Sequence, residues 1–156
     1  MKNMDDGCES PLDYAGNYIK RLIELLNNLN HQEIKGVIEL FLEARERGAT
    51  IFFLGNGGSA ATACHFANDM SVCASPEGKK PFRAISVASN MAHVTCLGND
   101  TGYENIFTGQ LRNLLRPGDV VVGISASGNS PNAVNALDYA NLNHAASVAI
   151  VGFDGG

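Results

Sequence analysis

Apolar residues recur at Ile19, Leu22, Ile23, Leu26 and Leu29, and again after a short polar break at Ile34, Val37, Ile38, Phe41 and Leu42. Steps of three and four put each set on one helical face. The pattern predicts two amphipathic helices, the second stopping near Gly48. The period then changes. Thr50-Ile51-Phe52-Phe53-Leu54 is an unbroken apolar run, β-branched and aromatic, closed by glycines. That is the pattern of a strand buried on both faces, as in a parallel sheet. Residues 82–87 (FRAISV), 120–124 (VVVGI) and 147–151 (SVAIV) are three further strands by the same reading. Ile106, Phe107, Gln110, Leu111, Leu114 and Leu115 mark a helix closed by the turn Arg116-Pro117-Gly118-Asp119, and another helix runs to about Leu142. Strands alternating with helices predict an α/β fold around a mostly parallel sheet. No linker, low-complexity tract or fixed-period repeat interrupts the chain. The expected organisation is one domain over residues 1–156, with a helical segment over 11–48 and an α/β core over 49–156.

Composition narrows the functional classes. A net charge of -5 removes any basic surface for direct nucleic-acid contact. The apolar runs are far too short to span a membrane, and the polar, acidic start MKNMDDGCES does not read as a secretory signal. A cytoplasmic protein is expected. Cys8, Cys64, Cys73 and Cys96 contain no CxxC pair, which argues against a zinc ribbon or a disulfide framework. Cys64, Cys73 and Cys96 sit among apolar neighbours and are expected to be small buried residues.

Two loops share one design. Gly55-Asn56-Gly57-Gly58-Ser59 and Ser125-Ala126-Ser127-Gly128-Asn129-Ser130 each join a predicted strand to a predicted helix. Ligands of open parallel sheets bind beyond the carboxyl ends of the strands. Glycines let backbone N–H groups come close to an anion, the following helix adds the positive end of its dipole, and Ser59, Ser125, Ser127 and Ser130 add hydroxyl donors. Together they predict a cage for one phosphate group. Dinucleotide binding fits less well: Gly55-x-Gly57-x-x-Ala60 satisfies the loose glycine pattern, but the next strand ends in Val87-Ala88-Ser89 without the acid that would hold a ribose. No nucleotide cofactor is expected. A serine-hydrolase elbow is excluded because Gly123-Ile124-Ser125-Ala126-Ser127 lacks its second glycine. Loops that merely turn the chain are the plain alternative, and it weakens when two hydroxyl-rich loops fall at strand ends.

On the helix after the first loop, Ala63, Phe66, Met70 and Cys73 read as the buried stripe. Thr62, His65 and Asp69 fall on another face, which starts at the phosphate loop. His65 and Asp69 are candidates for acid–base chemistry on an anchored sugar phosphate, or for holding a divalent metal, although two ligands do not make a site. An ordinary solvent-facing pair is the alternative. In the patch around Asn99, Asp100 and Gly102, turn chemistry is the default, and Asp100 is a further candidate for a sugar hydroxyl. His93 and His144 are expected to be structural.

The motifs Gly55-Asn56-Gly57-Gly58-Ser59, His65-Phe66-Ala67, Gly98-Asn99-Asp100-x-Gly102-Tyr103-Glu104 and Gly123-Ile124-Ser125-x-Ser127-Gly128-Asn129-Ser130, in that order, resemble the sugar isomerase (SIS) domain family, and within it the bacterial phosphoheptose isomerases. The resemblance implies a three-layer sandwich around a parallel sheet and a homotetramer with active sites between subunits. It also implies interconversion of sedoheptulose 7-phosphate and a glycero-manno-heptose 7-phosphate for cell-envelope sugars. It assigns substrate and phosphate contacts to Asn56, Ser59, Ser125, Ser127 and Ser130, with Asp100 as an acid of the pocket; Gly57, Gly58 and Ala126, in the same two loops, are further phosphate-binding candidates. His65 aligns with a histidine that binds zinc in some members. Asp69 stands where the family has its catalytic glutamate, and Cys73 stands near a family arginine. Family enzymes continue into a fifth strand and a long final helix carrying a histidine and a glutamine, which a chain ending at Gly156 is expected to lack. The same resemblance admits a second reading, a non-catalytic phosphosugar-binding module acting as a sensor or protein-partner regulator.

Overall fold

The computed structural model describes residues 10–74 and 77–156, so Cys8 lies outside the described residues. The chain divides into two compact units, Met1–Val37 and Ile38–Gly156.

The first unit holds α1 (Pro11–Asn27) and the opening turns of α2 (His31–Arg47). Ser10 caps α1 by accepting the Asp13 N–H, with Pro11 in the first turn where a missing N–H costs nothing. Asn30 does the same for α2: its Oδ1 accepts the Gln32 N–H at 3.0 Å, and its amide donates to Glu33 Oε1 at 3.0 Å. Both helices fall where the spacing predicts. None of the residues of α1 is buried, and Ile19, Leu22, Ile23, Leu26 and Leu29 are all about half exposed.

The second unit continues α2 to Gly48, whose φ of +69° ends the helix in the left-handed region that favours glycine. It then runs β1 (Thr50–Gly55), α3 (Gly58–Asn68), a π turn (Asp69–Cys73) and β2 (Arg83–Ser86). After these come α4 (Met91–Thr101), a 3-10 turn (Tyr103–Asn105), α5 (Thr108–Leu114), β3 (Val120–Ser125), α6 (Pro131–Leu142) and β4 (Ala146–Val151). The four strands form one sheet in the order β2-β1-β3-β4, every pair parallel. β1 and β3 are central and buried along their whole length, so their runs are apolar at successive positions. Side-chain alternation divides the core into two layers. Ile51, Phe53, Val120, Val122 and Ile124 face Ala44 of α2 and Ala63 and Ala67 of α3. Phe52, Leu54 and Val121 face Ile106, Phe107, Leu111 and the alanines Ala133, Ala136 and Ala140 of α6. Helices thus cover both faces of the sheet, the expected α/β sandwich.

Asp119 fastens the amino edge of this sheet. It is 4% exposed, and its two carboxylate oxygens accept the backbone N–H of Thr50 at 2.7 Å and of Arg116 at 2.8 Å. Its own carbonyl accepts the Ala146 N–H at 2.9 Å. One residue therefore joins the entries of β1, β3 and β4.

Several sequence expectations are corrected. α4 was not foreseen; Asn99 and Asp100 lie in its last turn, and the chain reverses at Gly102, with φ +93°. The helix expected over 106–115 is shorter, α5 alone, and Ile106 and Phe107 are buried between it and the preceding 3-10 turn. The buried stripe of α3 runs through Ala63 and Ala67. Phe66 is 39% exposed although it stacks on Phe53, and Cys73 is exposed. For Cys73 the physical reason is the π turn from Asp69, which widens the helix and rotates later residues off the 3.6-residue stripe. Cys96 is likewise exposed on α4, and Cys64 is half-buried. No helix among the described residues is long and apolar enough to cross a membrane.

Asp119→Ala leaves two backbone N–H groups without their buried charged acceptor. At about 1.5–3 kcal/mol for each hydrogen bond to a charged group, the loss of unfolding free energy in urea should be on the order of 3 kcal/mol or more. A loss below about 1 kcal/mol would show that the sheet entry does not depend on this carboxylate.

Candidate functional site

Because all strands are parallel, the loops after β1 and β3 leave the same edge of the sheet. The pairing carries Gly55 opposite Ile124 at the last rung. Only glycine fits at 55: a β-carbon there would stand 2.8 Å from the Ile124 carbonyl oxygen and 2.8 Å from Ser59 Cβ. Gly57 (φ +53°) then caps α3, and the Ser59 N–H turns back to the Asn56 carbonyl at 2.9 Å. Among the described residues, the N–H groups of Gly57 and Gly58 have no hydrogen-bond partner, and both residues are exposed. Two adjacent free donors at a helix start are an arrangement that an anion can accept from.

The second loop is more deeply set. Ser125 is 7% exposed, and its hydroxyl donates to Ser130 Oγ at 3.1 Å. Gly128 (φ +71°) returns its N–H to the Ser125 carbonyl, while Ser127 Oγ accepts the Asn129 N–H at 3.2 Å. Ala126 contributes through its backbone, its carbonyl accepting the Gly152 N–H at 3.1 Å. The N–H groups of Ser127 and Ser130 are without hydrogen-bond partners among the described residues.

The two loops are joined by a pair of amides. Asn56 Nδ2 donates to Asn132 Oδ1 at 2.8 Å, and Asn132 Nδ2 donates to Asn56 Oδ1 at 2.9 Å. Asn132, in the first turn of α6, is only 1% exposed. The Tyr103 hydroxyl adds a third bond, donating to Asn56 Oδ1 at 3.0 Å. The sequence reading missed Asn132 and Tyr103. The available signal was an asparagine two residues after Ser130, an apolar slot in an otherwise alanine-lined helix face.

His65 Nε2, on α3, and Asp69 Oδ2, at the start of the π turn, are 3.0 Å apart, an i,i+4 pair with side chains 77% and 49% exposed. The other Asp69 oxygen accepts from Asn68 Nδ2 at 3.2 Å. This pair is not gathered into the loop cluster. At about 1.5 Å rise per residue, His65 lies roughly 9 Å and Asp69 roughly 15 Å along the helix from Ser59. No group of three or more His, Cys, Asp or Glu side chains that could hold a metal exists among the described residues. A catalytic zinc needs three protein ligands, so the donor set of one chain does not fit it and no step is routed through zinc.

Asp100 is exposed at the end of α4. Asn99 Nδ2 donates to its Oδ1 at 2.7 Å, and the Cys96 thiol lies 3.4 Å from its Oδ2. The Asn99 amide and then the Cys96 thiol hold the Asp100 carboxyl below its ordinary value, and the carboxylate in turn raises the Cys96 thiol above its own.

Residues 14–152 match the family model for the SIS domain. The chain is similar to a probable phosphoheptose isomerase of Thermoplasma acidophilum, 36% identical over 142 residues, covering 91% of this chain and 78% of that protein. Its fold is similar to the solved phosphoheptose isomerase of Neisseria gonorrhoeae, with a TM-score of 0.81 and 34% identity over 92% of this chain and 73% of that one. The phosphoheptose isomerase structure from Francisella tularensis gives 0.82 and 28%, over 94% and 77%.

The Cys96–Asp100 contact makes a pH-dependent prediction. Removing the charge in Asp100→Asn lowers the thiol pKa, so more thiolate is present near pH 8 and iodoacetamide should modify Cys96 faster than in the unaltered protein. An unchanged alkylation rate, read by peptide mass spectrometry, would contradict the contact.

Two hydroxyl-rich loops beyond a parallel sheet, the ordered motifs that build them, and both kinds of similarity agree: the chain belongs to the SIS domain family, among the phosphoheptose isomerases.

Proposed function

We propose that this protein interconverts a ketose phosphate and an aldose phosphate, namely sedoheptulose 7-phosphate and a glycero-manno-heptose 7-phosphate. The observation that carries the reading is the pair of loops locked together at one sheet edge with four free N–H donors and four serine hydroxyls. That array suits a phosphate dianion without any lysine. The relatives, phosphoheptose isomerases, point to a phosphorylated heptose as the sugar.

The chemistry needs only proton transfers. A carboxylate takes a proton from C1 of the ketose, the C1–C2 enediol forms as the C2 carbonyl oxygen gains a proton, and the carbon proton returns at C2 while O1 loses its own. No electron donor or acceptor enters. We assign the carbon proton to Asp69, with His65 hydrogen-bonded to it as orienting partner. Ser59, Ser125, Ser127 and Ser130, with Asn56, Gly57, Gly58 and the backbone of Ala126, hold the phosphate. Asp100 takes a sugar hydroxyl.

We assign the phosphate cage and the base of one active site to different copies of the chain, as the family pattern of active sites between subunits implies. The exposed apolar stripe of α1, with Leu22 44% and Leu26 54% exposed, supports association into a homo-oligomer, a tetramer by the family pattern.

In deuterium oxide, the unaltered protein should exchange the reacting carbon proton of sedoheptulose 7-phosphate with solvent. Asp69→Ala should lower the rate by about 10²–10⁴-fold, while inorganic phosphate still raises the melting temperature. A folded protein that binds phosphate without exchange is a binding module, and the isomerase reading then falls. Mixing Asp69→Ala with Ser127→Ala subunits tests the shared site. Recovered activity is expected, and its absence from demonstrated mixed oligomers would return both groups to one chain.

A further inference from the structure

The Asn56 amide has a fixed hydrogen-bonding inventory. Its carbonyl oxygen offers two lone pairs and its nitrogen two protons. Asn132 Nδ2 and the Tyr103 hydroxyl occupy the oxygen, at 2.9 and 3.0 Å, and Asn132 Oδ1 takes one proton, at 2.8 Å. What remains is a single N–H. A free asparagine can present either end of its amide to a ligand, and the oxygen end repels a dianion. In the observed pairing both lone pairs of the Asn56 oxygen are taken, so the end it presents is its N–H.

We infer that Asn132 and Tyr103 are positioning residues that hold Asn56 as a donor-only contact for a phosphate oxygen. The inference rests on the phosphate-cage reading given above.

The two partners differ in kind. Asn132 is built in, 1% exposed on α6 and not replaceable by water. Tyr103 is 57% exposed and reaches Asn56 from the 3-10 turn that follows α4. That turn is itself secured. Gly102 has φ +93°, and a β-carbon there would stand 2.6 Å from the Glu104 carboxylate. Asn135 Nδ2, on α6, donates to the Glu104 carbonyl at 3.2 Å. The tyrosine therefore links the α4–α5 connection to the phosphate loop through one removable bond. Its loss leaves the amide able to rotate about χ2, with water as the competing partner, so its effect is graded rather than absolute.

The test uses the full chain and inorganic phosphate as probe, read by isothermal titration, with sedoheptulose 7-phosphate kinetics measured in parallel. Tyr103→Phe keeps the ring and removes only the hydroxyl. It should raise the phosphate Kd about fivefold, the equivalent of one ordinary hydrogen bond, and raise KM with kcat nearly unchanged. Asn132→Asp keeps an acceptor for Asn56 Nδ2 but removes the donor to its oxygen and adds a negative charge, so a larger loss is expected. The deciding comparison is the cycle with Asn56→Ala. If Tyr103 acts through Asn56, adding Tyr103→Phe to Asn56→Ala changes the phosphate Kd no further. Independent, additive losses would overturn the inference, as would an unchanged Kd in Tyr103→Phe. Because Tyr103 is exposed, folding of this variant is not at risk. Phosphate binding that follows the cycle while no isomerisation occurs would sink the proposed activity and leave the positioning role standing. Isomerisation with an additive cycle would do the reverse.

Discussion

The parallel pairing of β1 with β3 is the constraint on which the rest depends. Both strands are buried from end to end, and a one-residue slip would turn each apolar set toward the wrong layer of helices. The register is therefore tightly set, and it ends with Gly55 against Ile124. Everything at the candidate site follows from that rung. The two following loops start level, close enough that a single β-carbon at residue 55 would collide with both the neighbouring strand and Ser59. At the opposite edge, Asp119, the residue before β3, holds the first N–H of β1 and the Arg116 N–H of the turn that leads into β3. A carboxylate fixing the entry and a glycine permitting the exit are two ends of one alignment.

From this alignment comes the amide pair. Asn56 and Asn132 are 76 residues apart in sequence and exchange two hydrogen bonds. Burying Asn132 would carry a large penalty if its polar atoms were unmatched. Matched to Asn56, it converts that penalty into a requirement that the two loops keep their spacing. Specificity for one arrangement, more than added stability, is what such a buried polar pair supplies. The proposed phosphate cage is then preorganised: its donors stand in place before a ligand arrives, and less of the binding free energy goes into ordering them.

The sequence made the sheet legible because burial on both faces leaves a simple trace. Runs such as Ile51-Phe52-Phe53-Leu54 and Val120-Val121-Val122 hardly admit another reading. Helices α1, α2 and α6 were legible from apolar spacing or from their caps. α4 was not, because it buries none of its residues and carries glycine and asparagine near its end, so neither periodicity nor propensity marks it. The stripe of α3 was misread beyond Asn68 for a different reason: a π turn changes the period, and no local residue choice announces it. At the site, glycine and serine positions were readable because strand-to-helix loops have a known chemistry. The partners Tyr103 and Asn132 were not, since they meet Asn56 only after the chain has crossed the sheet. A hydrogen bond between residues 47 or 76 apart leaves no trace in spacing.

The site thus separates into two parts with different physics. The cage is half-buried, cross-linked and built on loops whose geometry the sheet dictates, so it can supply binding that is equal in ground and transition states. The His65–Asp69 pair is exposed and stands on a helix that runs away from the cage. Uniform binding lowers KM without raising kcat, and acceleration has to come from groups whose contacts strengthen at the transition state. In the proposed reading Asp69 bears that burden with a side chain one carbon shorter than glutamate, about 1.5 Å less reach, where misplacement of about 1 Å can cost a hundredfold in rate. A base so placed gains nothing from a stronger phosphate anchor on its own chain. It gains from whatever brings the far end of an anchored sugar to it.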